Sequence, residues 1–218
     1  MGIDSGLSRT KLVERVREER DPEVLGAFIN HRAWQVRWAA IQSLGRSESP
    51  AAERYLLQVL AVSHDKGDLA FANAALGRVG SQAAIPALAG FIHHSTEDVK
   101  CSAIHAIGVL GNSSLTPLYL DALSDRSSVA KWYAMAAIHR NGDARAIGPV
   151  VERLRAVLSR ERRTTIGGWS EVMYALDFLR RWRAADPSAG QTIEWARSSR
   201  LDRLQSDERE WYETTFGR

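Results

Sequence analysis

A short pattern recurs along this chain with a period of 31 or 32 residues, and that period constrains the fold more than any other feature. An alanine, three further residues, then Leu or Ile followed by Gly occurs at Ala40 to Gly45, Ala72 to Gly77 and Ala103 to Gly108. It returns with the glycine replaced at Ala134 to His139, and the closing positions lie 32, 31 and 31 residues apart. Pro86, Pro117 and Pro149 repeat the period independently, 31 and 32 apart, each opening an apolar stretch. Proline costs a helix nothing in its first turn, where the amide hydrogen has no intrahelical partner. Each period therefore predicts two helices of about ten to twelve residues, one opening near the proline and one closing at the signature.

Helical pairs repeated in this way predict an all-α chain: a right-handed α-solenoid of about five antiparallel hairpins. The repeats are expected near residues 21–49, 50–82, 83–113, 114–145 and 146–186, as one domain over 1–218. A helix from Ser8 to Arg20 should cap one end and the segment 187–218 the other. The alanines suit helix crossings, where a small side chain lets two axes approach. Gly45, Gly77 and Gly108 are expected as left-handed residues that end a helix. The fifth signature, Ala175 to Leu179-Arg180, follows the fourth by 41 residues, so extra residues enter at Arg160 to Trp169. Thr164, Thr165, Gly167 and Gly168 are poor helix formers, which predicts a loop there.

The ends and the composition remove several classes. No window approaches the roughly 18 consecutive apolar residues of a membrane-spanning helix, and the first twenty residues are too charged for a signal peptide. A cytoplasmic protein is expected. The single cysteine, Cys101, excludes an internal disulfide and a cysteine-built zinc cluster. A surplus of three charges, from 29 basic and 26 acidic residues, leaves a nucleic-acid partner to depend on local clustering.

The stretches QVRWAAIQSLG (35–45), EDVKCSAIHAIG (97–108) and, more loosely, DRSSVAKWYAMAAIH (125–139) resemble the HEAT-like repeats first recognised in phycobilin lyases. The resemblance covers about residues 21 to 183. It implies an α-solenoid, and for function it admits scaffolds, lyase subunits and a branch of bacterial alkylpurine DNA glycosylases. The second repeat departs from the pattern, with Leu69 where the others carry Arg37, Lys100 and Lys131.

Those three basic residues should align as a ladder, either gripping phosphate or pairing with acids of neighbouring turns such as Asp98 and Asp125. Positions two before and two after each signature alanine should share one stripe of the second helix. The stripe contains Trp38 and Gln42, Cys101 and His105, Trp132, and Met173 with Asp177. It is the expected partner-binding wall, unless Trp38 and Trp132 are simply buried between layers. Cys101 and His105 have the spacing of a thiolate–imidazole pair, but nothing nearby completes a nucleophilic set. No metal and no cofactor are expected.

From Asp143 to Arg203 the chain has 12 arginines against 8 carboxylates. Arg162, Arg163, Arg180, Arg181 and Arg183, interleaved with Trp169 and Trp182, form a candidate basic patch suited to phosphate contact and base stacking, or an ordinary solvated face. The leading expectation is a non-catalytic protein–protein interaction scaffold or adaptor that presents the second-helix stripe of its concave face and the 160–169 loop, with Trp169, to another protein or peptide. The alternative is a nucleic-acid-binding protein of the alkylpurine glycosylase type, with Asp177 and Trp132 as the candidate catalytic residues. A bilin lyase-like subunit is the second alternative.

Overall fold

The computed structural model describes residues 7–160 and 168–217, and among these it is all-α, with thirteen helices and no strand. Two compact units divide it at Gly111. The first contains α1 (Arg9–Glu18), α2 (Pro22–Gly26), α3 (Trp34–Leu44), α4 (Ala51–Val62), α5 (Lys66–Val79), α6 (Ile85–Ala89) and α7 (Glu97–Leu110). The second contains α8 (Thr116–Leu123), α9 (Ser128–Asn141), α10 (Ile147–Leu158), α11 (Glu171–Trp182), α12 (Pro187–Ser199) and α13 (Ser206–Phe216).

Within the first unit α1, α3, α5 and α7 pack successively against one another, with α2, α4 and α6 behind them. The helix before the first repeat thus adds one more layer to the stack. In the second unit α9 packs against α11, α10 against α12, and α13 against α11. This is the HEAT-like arrangement of stacked helical pairs. The signature alanines Ala40, Ala72, Ala103, Ala134 and Ala175 are all buried, as are Leu44, Leu76, Ile107, Ile138 and Leu179 one turn later. Each such Leu or Ile contributes about 1.5–3 kcal/mol by leaving water.

The signature glycines correct the sequence expectation. None has positive φ, and Gly77 and Gly108 lie inside α5 and α7 rather than after them. Gly45 and Gly77 are there for close approach. A Cβ on Gly45 would meet the Ala75 Cα at 3.1 Å, and one on Gly77 would meet the Ala106 Cα at 3.1 Å, both on the next helix of the stack. The corners are made three residues later, by Gly80, Gly111 and Gly142, whose amides close α5, α7 and α9 on Leu76, Ile107 and Ile138 carbonyls. Ser81, Asn112 and Asp143 follow directly, and each side chain accepts the amide two residues on, starting the turn into the next pair.

A second periodic device shapes the turn inside each pair. His31, Ser63, His94 and Asp125 occupy equivalent positions, and each side chain accepts the backbone N–H two residues ahead, at 2.7–3.2 Å. Chemically different side chains supply one acceptor at one register. The first helices of three pairs are shorter than predicted: α8 has eight residues, and α2 and α6 have five, ending at Gly26 and before Gly90. Gly26 accommodates Tyr55, whose ring would lie 2.2 Å from a Cβ there.

Candidate functional site

Arg37 is a structural residue. Its Nε donates to Asp68 Oδ2 at 2.7 Å and its Nη2 reaches Asp65 Oδ2 at 3.2 Å, both at the start of α5. A further bond goes to the His31 carbonyl. Lys100 is half-buried on α7 and partnered, and Lys131 is half-buried on α9.

The stripe expected to form a binding wall opens unevenly. Cys101 and Met173 are buried, so they offer no surface, whereas His105 is exposed one turn from Cys101. Met173 belongs to the start of α11, where its amide donates to Ser170 Oγ and its Sδ accepts the Ser170 N–H. Trp38 and Gln42 remain accessible. They line a cleft of about 340 Å³ between α1 and α3, together with Arg9, Glu14 and Arg17 of α1 and Trp34 of α3.

Trp34 is 47% exposed, and its ring centroid lies 4.2 Å from that of half-buried Trp38. Phe71 backs Trp38 at 4.9 Å. The Trp38 indole rests on Gly67 near the start of α5, where a Cβ would come within 2.2 Å of its Cζ2. Trp38 Nε1 is buried there without a hydrogen-bond partner. Sequence reasoning found Trp38 but missed Trp34, although a tryptophan four residues earlier on the same helix was legible as its neighbour.

At one end of this cleft the helix C-termini collect arginines. Arg46 Nη2 donates to the Arg17 carbonyl at 3.2 Å and to Ser43 Oγ at 2.8 Å, and Arg78 Nε donates to the Gly45 carbonyl at 3.1 Å. Cations suit these positions because the last carbonyls of a helix carry partial negative charge. Burial, then the like charges of Arg20, Arg78 and Arg17, hold the Arg46 guanidinium below its ordinary pKa. Among the described residues none of these four arginines forms an ion pair with a carboxylate.

In the second unit the structure gathers Trp132, Trp169 and Asp177 around two residues not singled out from sequence, His139 and Tyr174. Trp132 Nε1 donates to the Trp169 carbonyl at 2.9 Å. His139 faces Trp169 at 5.1 Å and Tyr174 at 5.2 Å between ring centroids, and Trp211 of α13 covers Trp169 at 5.4 Å. Asp177 is 9% exposed, with Oδ2 held by His139 Nε2 at 2.9 Å and Oδ1 by Arg180 Nε at 2.9 Å. Burial pushes the Asp177 carboxyl up, but the hydrogen bonds from His139 and Arg180 outweigh it and hold the group below the usual carboxylate range. Burial pushes His139 down, the hydrogen bond to Asp177 opposes this, and the charges of Arg181 and Arg140 reinforce it. The net direction is downward despite the short contact with a carboxylate, so the imidazole is neutral near pH 7 and donates its Nε2 hydrogen. The signal for His139 lay in the signature itself, where it replaces the glycine.

Of the candidate basic patch, the described residues Arg180, Arg181 and Arg183 stand together at the end of α11. Arg180 pairs with Asp177, Arg181 donates to the His139 carbonyl and lies over Phe178, and Arg183 is exposed at the end of α11. Arg162 and Arg163 lie outside the described residues. Among the described residues no three His, Cys, Asp or Glu side chains gather as a metal site, and no helix is long and apolar enough to cross a membrane.

Comparison with known proteins agrees with this architecture. A family model for HEAT repeats matches residues 22–100. No curated protein sequence matches the chain. Among solved structures, the crystal structure of an engineered protein is similar, with a TM-score of 0.53 at 15% identity over 89% of this chain and 96% of that one. At that identity the likeness concerns the fold alone.

Proposed function

We propose that this HEAT-repeat chain is a non-catalytic interaction module that binds another protein through the cleft between α1 and α3. The observation that carries this reading is Trp34, half exposed and packed at a tilt against Trp38 at the wall of a cleft large enough for one bulky side chain. Large aromatic residues in partly open clefts are typical anchors at protein interfaces, because they release much apolar area from water at small entropic cost. The cleft is walled by α1, so the helix outside the repeat pattern has a binding role beyond closing the stack. Asp177 supports binding over glycosidic chemistry: both carboxylate oxygens are committed to His139 and Arg180, and the carboxylate is nearly buried.

The test is quantitative affinity capture with the full chain and with Trp34→Ala. Trp34 is exposed, so its truncation leaves the core intact. A protein retained stoichiometrically by the parent chain and lost by the variant is the expected result. Equal retention by both, or turnover of alkylated DNA by the purified chain, overturns the reading.

A further inference from the structure

The cleft and the arginines at its end make a composite surface whose two halves call for different chemistry. Arg17 belongs to both, lining the cleft and standing beside Arg46. Each guanidinium offers five donors. Arg46 spends only Nη2 and Arg78 only Nε, while the side chains of Arg17 and Arg20 make no hydrogen bond or ion pair among the described residues. Their donors face water. Capping helix ends accounts for Arg46 and Arg78, but it leaves Arg17 and Arg20 unexplained. Like charges crowded together without an ion-pair partner among the described residues cost energy in the free protein, and an anionic partner recovers it.

We infer that the partner docked in the α1–α3 cleft is an acidic peptide segment: one large apolar side chain seats against Trp34 and Trp38, and neighbouring carboxylates engage Arg17, Arg20, Arg46 and Arg78. This rests on the interaction-module reading above and adds the charge of the partner. Two features favour a peptide over a nucleic-acid strand. Arg17, Arg20, Arg46 and Arg78 gather around one end of the cleft, while Arg9 lines it two turns away at the start of α1, and Glu14 lies between Arg9 and Arg17 on the same wall, where it would repel a continuous run of phosphates. Carboxylates on a flexible peptide can sit at the cluster alone. Arginine forks match carboxylates in bidentate geometry, which gives orientation as well as attraction.

The experiment uses the full chain and three fluorescein-labelled probes: a nonapeptide with one phenylalanine flanked by four glutamates on each side, the same peptide with glutamines, and a 12-mer of oligothymidylate. Fluorescence anisotropy is read for the parent chain, for Trp34→Ala and for the double variant Arg17→Glu/Arg20→Glu, with circular dichroism as the control for folding. The acidic peptide should bind, more weakly as salt rises, and the glutamine peptide should bind roughly ten-fold less well, a difference equivalent to 1.4 kcal/mol. Both variants should lose a similar factor. Equal binding of the two peptides, still sensitive to Trp34→Ala, overturns the acidic assignment while leaving the cleft reading standing. Binding of neither peptide, or binding indifferent to Trp34→Ala, overturns both. Tighter binding of the oligonucleotide than of the acidic peptide assigns the surface to nucleic acid and overturns the proposal.

Discussion

Arg37 and Asp68 are bonded at 2.7 Å across 31 residues of sequence, one repeat length, so that the second helix of one pair is tied to the start of the second helix of the next. The Asp68 side chain is 3% exposed and also accepts from Ser63 Oγ, and the Arg37 side chain is 16% exposed. A pair this deep has lost most of its hydration, so removing one partner strands the other.

Replacing Arg37 with leucine is therefore expected to destabilise the first unit by about 3 kcal/mol, and Arg37→Leu/Asp68→Leu should recover a large part of that loss. Urea denaturation of the two single variants and the double variant measures the coupling. Additive effects would show that the ion pair contributes nothing beyond its separate parts.

Gly67 gives a sharper prediction about the cleft. Alanine has the higher helix propensity, by about 1 kcal/mol, so a free site in α5 would gain from the change. Here the new methyl would occupy space held by the Trp38 ring. Gly67→Ala should therefore lose about 1–3 kcal/mol and shift tryptophan emission as Trp38 is displaced. Unchanged emission together with increased stability would show that the ring does not need that space.

Burial of His139 in the second unit predicts acid sensitivity there. The folded state holds His139 below its ordinary value near 6.5, so below that pH the unfolded chain binds a proton that the folded chain resists. The stability that this group contributes is complete above about 6.5 and declines as pH falls from there towards the folded value. Asp177, also held low, adds its loss only in more acidic solution, as pH falls towards its folded value. Denaturation curves at pH 7.5 and 5.5 should show lower stability at the acid end, and His139→Gln should flatten that difference. An equal pH dependence in parent and variant would assign the effect to other groups.

Much of the architecture was legible because it depends on local chemistry that repeats. The signature alanines and the leucine or isoleucine one turn later mark a buried helix face wherever they occur, and the prolines mark where helices open. Glycines were harder. Gly45 does end α3, but Gly77 lies inside α5, and both make room for Ala75 and Ala106 on the neighbouring helix, which local pattern does not reveal. The glycines that turn the chain, Gly80, Gly111 and Gly142, stand just beyond the signature and share its period. The period is therefore legible from local pattern, whereas the corners after α5, α7 and α9 fall to glycines outside the signature.

The binding stripe shows the same division. Equivalent positions along the repeats hold half-buried Trp38, buried Cys101 and buried Met173, because exposure depends on what the adjacent helix places opposite. The amino-acid sequence by itself determined the period, the helical pairing and the apolar face of each helix, since these follow from spacing and propensity within some thirty residues. Only the tertiary structure decided that α1 would wall a cleft with Trp34, that Arg37 would be spent on Asp68, and that His139 would meet Asp177. Those contacts join residues roughly twenty to forty apart in the chain, and their geometry comes from how one helix settles on the next.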